Sequence, residues 1–251
     1  MKWALLGFVI LVVACAPAPV TKAPASAPKV LMNLATMPKE GTWTYDGVTT
    51  LQVIGPGDSL IESGEIRSKS TSEVKLLGNG TYQVVNVIHS ITRRTGGKLT
   101  QQEVAALQAH VGKLHTITYN KNRHLINDKG SESLTYDFAV PDRVGIGDSW
   151  DGAVLYHGER FPAKFKLEGH ERFAGMDCVR ISVSCTYFDR RMPTGQVKCV
   201  LLDLYWMEIS SGAMVEEDTD LTFDYGGDRM IRMKSRQASF QPKVFEAHSQ
   251  R

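Results

Sequence analysis

The chain has 251 residues, of which 42% are hydrophobic and 22% charged, and its 29 Lys and Arg against 27 Asp and Glu give a formal net charge of +2. This composition excludes a disordered chain, a collagen-like fibre and a polytopic membrane protein. The near-neutral charge argues against a nucleic-acid partner, which requires clustered Lys and Arg to neutralise phosphates. At about 150 residues per domain, the length fits one large domain or two small ones.

The N-terminal segment is typical of a secretion signal. Lys2 precedes an apolar run from Trp3 to Ala14. A helix of this length spans about 18 Å, whereas the hydrocarbon core of a bilayer is about 30 Å thick, so the run is too short for a stable transmembrane helix. Residues 1–14 are therefore predicted to be a signal peptide.

Two interpretations of the cleavage site remain open. The stretch from Ala14 to Ala16 has the small-x-small pattern of ordinary signal peptidase, which would leave Pro17 at the new N-terminus. The stretch from Val12 to Cys15 resembles the lipobox of bacterial lipoproteins, although Val12 stands where Leu is usual. This resemblance implies an acylated Cys15 that anchors the protein in a membrane. Because Ala16 is not Asp, it also implies the bacterial outer membrane with the domain in the periplasm, while the inner membrane and the cell surface remain alternatives.

A tether follows the cysteine. Ala and Pro make up most of residues 16–29, and such a segment favours an extended polyproline conformation. At about 3.1 Å per residue it would hold a domain about 40 Å from the bilayer. We predict that residues 15–40 form the lipidated cysteine and tether, and that residues 41–251 form a single β-rich periplasmic domain.

Period-two alternation dominates the chain from Gly41 onward. Between Cys178 and Phe188 every second residue is apolar, which is typical of a half-buried strand. Turn signals such as Asn79-Gly80 separate these segments. The last four strands are predicted at 176–189, 196–209, 213–225 and 229–240. Long strands in an unbroken meander predict a mainly β fold: a large curved antiparallel sheet or an open half-barrel.

One packed helix is predicted at about 101–112. Thr100 and Glu103 form a capping box, and apolar residues then recur at helical spacing through Leu114. We expect this helix to lie across the concave face of the sheet.

An acidic set between Glu216 and Asp228 raises the question of a calcium site, but the glycine that a calcium loop requires is missing. The alternative is a hairpin with a three-residue loop at 226–228. In that hairpin, each residue before the loop faces the residue after it for which the two numbers sum to 454. This register sets Asp220 against Lys234 and Asp218 against Arg236, which favours structural ion pairs over a metal. The same register places Leu221 against Met233 and Phe223 against Ile231.

The cysteines beyond the signal leave two interpretations. A hairpin centred near Met192 brings Cys185 and Cys199 together, and the periplasm permits a disulfide. The alternative is two buried thiols that behave as small hydrophobes. Cys178 lies on the opposite, polar face and has no evident partner.

No motif predicts catalysis. The seven His residues do not form HExxH, no Ser lies in a G-x-S-x-G elbow, and no glycine-rich stretch forms a phosphate loop. We therefore expect no catalytic residue, no cofactor and no enzymatic activity. Trp43, Trp150 and Trp206 are interpreted as core anchors or, alternatively, as the lining of an apolar cavity.

Several short motifs lie along the chain: Trp43-x-Tyr45, the segment 116–127, Pro141 with 147–150, Gly175-x-x-Cys178, and Trp206 with Ser211-Gly212. Together they resemble a group of uncharacterised secreted or lipid-anchored bacterial β-proteins. The long-strand sheet with its helix is also similar to the half-barrel lipoprotein carriers of the LolA, LolB and RseB type. That resemblance implies a concave face that accepts acyl chains.

Two functions remain open. The first is a lipid or other apolar ligand on the concave sheet face, in a cavity of several hundred Å³ beneath the helix. The second is an envelope scaffold that binds a protein partner and no small molecule. The predicted ligand face comprises Val179, Ile181, Val183, Leu201, Leu221 and Phe223.

Overall fold

The computed structural model describes residues 31–95, 108–129, 134–189, 197–226 and 230–243. A short 3-10 turn at Pro56–Asp58 accompanies the strands. In chain order the strands are β1 (Leu31–Met32), β2 (Gly41–Ile54), β3 (Leu60–Leu76), β4 (Thr81–Thr95), β5 (Leu114–Asn120), β6 (Leu125–Lys129), β7 (Thr135–Asp137), β8 (Val144–Gly145), β9 (Ser149–Tyr156), β10 (Glu159–Phe173), β11 (Met176–Asp189), β12 (Val197–Glu208), β13 (Met214–Asp224) and β14 (Met230–Lys243).

Twelve of these strands form one antiparallel sheet that is nearly closed into a barrel, in the order β6-β5-β4-β3-β2-β14-β13-β12-β11-β10-β9-β7. The two edge strands approach each other at one end. There the Leu125 amide donates a hydrogen bond of 3.1 Å to Asp137 Oδ1, and the Val140 amide donates one of 2.8 Å to the Asn122 carbonyl. β1 and β8 pair separately. The predicted mainly β class, with one large curved sheet of long meander strands, is confirmed.

The C-terminal meander follows the sequence pattern closely. The strands β11 to β14 agree with the four predicted segments to within three residues at each end. The two-residue turn Ala174-Gly175 has positive φ at both positions, as a tight hairpin requires. Alternation along β11 is also as predicted, because Val179, Ile181 and Val183 are buried on one face.

The register between β13 and β14 is confirmed. Leu221 pairs with Met233, Phe223 with Ile231, Asp220 with Lys234 and Asp218 with Arg236. The closest ion pairs nevertheless join diagonally placed residues of the two strands and not directly opposite ones. Arg232 donates to both carboxylate oxygens of Asp220, while Lys234 lies 3.8 Å from it. Arg236 reaches Glu216 at 2.7 Å instead of Asp218, because long side chains span the diagonal distance between neighbouring strands.

Residues 31–40, which the sequence assigned to the tether, lie against the sheet. Leu34 and Ala35 are buried, and the Lys39 amide donates to the Ser211 carbonyl at 2.8 Å. Residues 31–40 are therefore part of the described fold.

Most of the predicted helix at 101–112 lies outside the described residues. Its described end forms a turn, in which the Val111 amide donates to the Gln108 carbonyl at 3.0 Å and the Gly112 amide to the Ile88 carbonyl at 2.8 Å. No described helix is long and apolar enough to cross a bilayer.

Two apolar clusters occupy the concave side. The larger one lies on β9–β13 and centres on Phe165, whose ring stacks on Trp150 and contacts Phe138. Gly152 permits this packing, since a Cβ there would lie 2.5 Å from the Phe165 ring. The smaller cluster lies on β2–β5 and includes Trp43 and Tyr82.

Of the two interpretations of Cys185 and Cys199, the structure shows two buried thiols that no disulfide joins. The register sets Cys185 opposite Leu201 and Cys199 opposite Tyr187. The two cysteines are therefore diagonal neighbours, because the pairing is shifted by two residues from the one that the prediction assumed. Cys178 is also buried, and burial raises the pKa of its thiol to about 11.

Candidate functional site

A cavity of about 760 Å³ lies between the two clusters on the concave side of the sheet. One wall comes from β2–β5, and the facing wall comes from β7 and β11–β13. Most of its surface is apolar, with aromatic and aliphatic side chains on both walls. These include Trp43, Tyr82, Val84, Ile117, Phe138, Ile181, Met207 and Met214.

Only one of the six predicted ligand-face residues reaches this cavity. Ile181 lines it, whereas the other five do not. Segments 31–40 and 134–145 cover that part of the sheet: Leu34, Val140 and Val144 are buried in the same cluster. Val179, Val183, Leu201 and Leu221 are consequently buried core residues, and Phe223 packs against them.

Small side chains on β3 keep the cavity open. Ser68, Ser70 and Ser72 line it, at the positions opposite Gly47, Tyr45 and Trp43 of β2. Alternation in the sequence places these serines on the inner face. Because serine is polar, however, a run of serines is easily interpreted as the solvent-exposed face of a strand. Sequence reasoning missed this wall for that reason.

A pair of carboxyl groups lies at the facing wall. Asp203 of β12 is 2% exposed, and Glu217 of the adjacent β13 is half-buried and lines the cavity. Tyr136 Oη donates to Asp203 Oδ2 at 2.5 Å, and Tyr205 Oη donates to Glu217 Oε1 at 2.8 Å. Burial raises the pKa of both carboxyl groups, and the neighbouring Glu217 raises that of Asp203 further.

Basic and polar side chains complete the lining. His115 Nε2 lies 2.7 Å from Asp128 Oδ1, which joins β5 to β6. Arg123 Nη2 donates to the Gly212 carbonyl at 2.9 Å. Lys113 and His110 line the cavity from the described turn at 108–113. The result is an amphipathic chamber: apolar over most of its surface, with a few polar groups at defined places.

The three tryptophans have different roles. Trp43 is buried and also lines the cavity, so the core and cavity interpretations both apply to it. Trp150 is a core residue whose Nε1 donates to the Phe138 carbonyl at 2.6 Å. Trp206 is half-buried on the outer face, where its Nε1 donates to Glu171 Oε1 at 3.0 Å.

Within the described ranges, no three His, Cys, Asp or Glu side chains converge in an arrangement that would hold a metal ion. Cys15 lies outside the described residues, so its predicted acylation stays a prediction.

No protein-family model and no curated protein matches the chain. Among solved structures, one concerned with lipid–protein interactions in lipovitellin has a TM-score of 0.46 at 8% identity, covering 82% of this chain and 27% of that chain. A DUF1329 family protein from Desulfovibrio piger has a TM-score of 0.19 at 8% identity, covering 78% of this chain and 84% of that chain. The chain thus spans about a quarter of the lipovitellin chain. Both TM-scores are below 0.5, so function is argued from the cavity's own residues.

Proposed function

We propose that the protein binds a lipid, or another ligand with an apolar chain, inside the cavity between its two clusters. The observation that carries this proposal is the volume of about 760 Å³. Small-molecule sites typically measure about 300–1,000 Å³ and are lined mostly by apolar and aromatic side chains with a few placed polar groups. This cavity has both properties.

The shape of the lining favours a chain-like apolar group. Tyr82 stacks on Tyr119 at a centroid distance of 5.5 Å, and both rings border the cavity beside Val84 and Ile117. Each buried methylene of a ligand gains about 0.8 kcal/mol, so a long acyl chain gains affinity from this wall without specific contacts.

We further propose that binding is non-enzymatic and that the protein acts as a lipoprotein of the bacterial outer membrane, with acylated Cys15 in the membrane and the domain in the periplasm. The lipobox-like stretch and the Ala- and Pro-rich segment after it support this placement. A membrane-tethered domain with an apolar chamber is suited to hold a lipid next to the bilayer.

Native mass spectrometry of the full chain, purified in mild detergent, tests ligand binding. We expect co-purified lipid that organic extraction removes and that added lipid restores. Extracted protein that takes up no single-chain or double-chain lipid would contradict the proposal and favour an envelope scaffold that binds a protein partner.

Metabolic labelling with a clickable fatty acid tests the anchor. Wild-type protein should incorporate the label, and a Cys15→Ala variant should not. Label that persists in the variant, or none in the wild type, would refute acylation at Cys15.

A further inference from the structure

The carboxyl pair at the cavity wall has unused hydrogen-bonding capacity. Asp203 Oδ1 is buried and has no hydrogen-bond partner among the described residues. Thr135, 2% exposed and part of the cavity lining, likewise has a hydroxyl without a partner among them. Buried polar atoms without partners are rare in folded proteins, and each one calls for an explanation. A polar group placed in the cavity would supply the contact that the Thr135 hydroxyl lacks.

The chemistry of the pair specifies what that group must offer. Ionised carboxylates only accept hydrogen bonds, and the two tyrosine hydroxyls already donate one each. Burial raises the pKa of both Asp203 and Glu217, and the charge of Glu217 raises that of Asp203 further, which favours a state in which the pair retains a proton. A partner that donates a hydrogen bond without adding negative charge suits this wall.

Building on the lipid binding proposed above, we propose that the ligand's head group is an uncharged hydroxyl, as in a long-chain alcohol or an acylglycerol, and that it donates to Glu217. Thr135 supplies a second hydroxyl from the same cavity. The apolar chain then lies along the Tyr82 and Ile117 wall. An anionic head group has no proton to donate and would place a second negative charge beside the carboxyl pair.

The basic residues of the lining provide the competing site. Lys113 is exposed, and a charge in water attracts an anion only weakly. His115 is bonded to Asp128. Arg123 donates through Nη2 to the Gly212 carbonyl, but its buried Nε has no hydrogen-bond partner among the described residues. An anionic head group at Arg123 and an uncharged head group at Glu217 therefore predict opposite ligand preferences.

Competition between two ligands with the same chain tests the proposal. The delipidated full chain is loaded with Nile red, and the dye is displaced by 1-dodecanol or by laurate at pH 8. We expect 1-dodecanol to bind at least about tenfold more tightly, since charge repulsion over several Å in a protein interior corresponds to that factor or more.

Glu217→Gln should reduce the preference to less than about threefold, chiefly by strengthening laurate binding. Asp218→Asn is the matched control: it removes a carboxylate from the exposed face of the same strand and should leave the preference unchanged. Should Glu217→Gln fail to fold, Asp203→Asn is expected to produce the same reduction.

Laurate that binds as tightly as 1-dodecanol to the wild type, or a preference that survives both variants, would overturn the head-group proposal while leaving lipid binding intact. Failure of both ligands to displace the dye would instead contradict the proposed function.

Discussion

A substitution that fills part of the cavity should weaken ligand binding without lowering the stability of the fold. Ser70 is half-buried on the inner face of β3, opposite Tyr45 and Ile88, and its side chain borders the cavity. In Ser70→Phe the new ring would enter the space where an apolar chain is proposed to lie. The neighbouring Lys69 is exposed, so Lys69→Phe places the same ring on the solvent side of the same strand.

The size of the effect follows from volume. A phenyl ring needs up to about 150 Å³, roughly a fifth of the 760 Å³ cavity. If it displaces three to four methylenes at about 0.8 kcal/mol each, the ligand loses about 2.5–3 kcal/mol, which is close to a 100-fold increase in Kd. Burial of the ring contributes about 2 kcal/mol to the ligand-free protein, so the free energy of unfolding should not fall.

Titration calorimetry with alcohols of 8 to 14 carbons would measure this change. Ser70→Phe should bind the longer chains most weakly relative to wild type and shift the preference towards shorter ones, while Lys69→Phe follows wild type. Equal affinities for all three proteins across the series would refute the placement of the ligand in this cavity.

Four further predictions concern stability. Phe165→Ala removes a fully buried ring and should lower the free energy of unfolding in urea by about 3–5 kcal/mol, whereas Phe188→Ala, at a residue 48% exposed, should cost about 0.5 kcal/mol. Because the pKa of Asp203 is raised in the folded state, wild-type stability should fall as pH rises above about 4, and Asp203→Asn should lessen that fall. The pKa of Asp220 is lowered by Arg232, so Asp220→Asn should instead lessen the loss of stability as pH drops below about 4. Asp137→Asn should cost about 1–3 kcal/mol and speed hydrogen exchange where β6 meets β7, since Asp137 is 1% exposed and accepts from backbone and side-chain donors there.

Each has a clear contrary result. If Asp220→Asn lost stability below about pH 4 as steeply as wild type, Arg232 would not lower the pKa of Asp220 in the folded state. Similar losses for the two phenylalanine variants would mean that the larger cluster is not the core. If the free energy of unfolding of Asp203→Asn and of wild type depended on pH in the same way, the carboxyl pair would not retain a proton in the folded state. Unchanged exchange at the β6–β7 edge in Asp137→Asn would show that this carboxylate does not hold the two edges together.

The C-terminal half of the fold is largely predictable because its signals are local. Alternation along β11, β12 and β13 identifies strands, and the turn at Ala174-Gly175 sets a register. The β13–β14 pairing was also predictable, because opposite charges and matched apolar residues coincide in only one of the two registers considered. The hairpin containing Cys185 and Cys199 lacked such a constraint, and its predicted register was wrong by two residues.

The candidate site was less predictable. The sequence marks Val179 and Leu221 as inner-face residues, but it does not show that segments 31–40 and 134–145 cover them. Glu217 lies within an acidic run that is otherwise on the outer face. Alternation puts it on the same face as Leu221, but only the sheet register sets it opposite Tyr205. Glu217 and Asp203 lie on neighbouring strands, and the Tyr136 hydroxyl that donates to Asp203 comes from a strand at the sheet edge.

By itself the sequence determined the class of the fold, the meander of long strands and one exact register, because alternation and turn chemistry act between neighbours in the chain. Tertiary structure decided which part of the inner face is filled and which part stays open. That depends on where Leu34, Val140 and Val144 pack and on the small serines of β3 facing a distant wall, and both are contacts between segments far apart in the chain. The cavity and its carboxyl pair are consequences of those contacts.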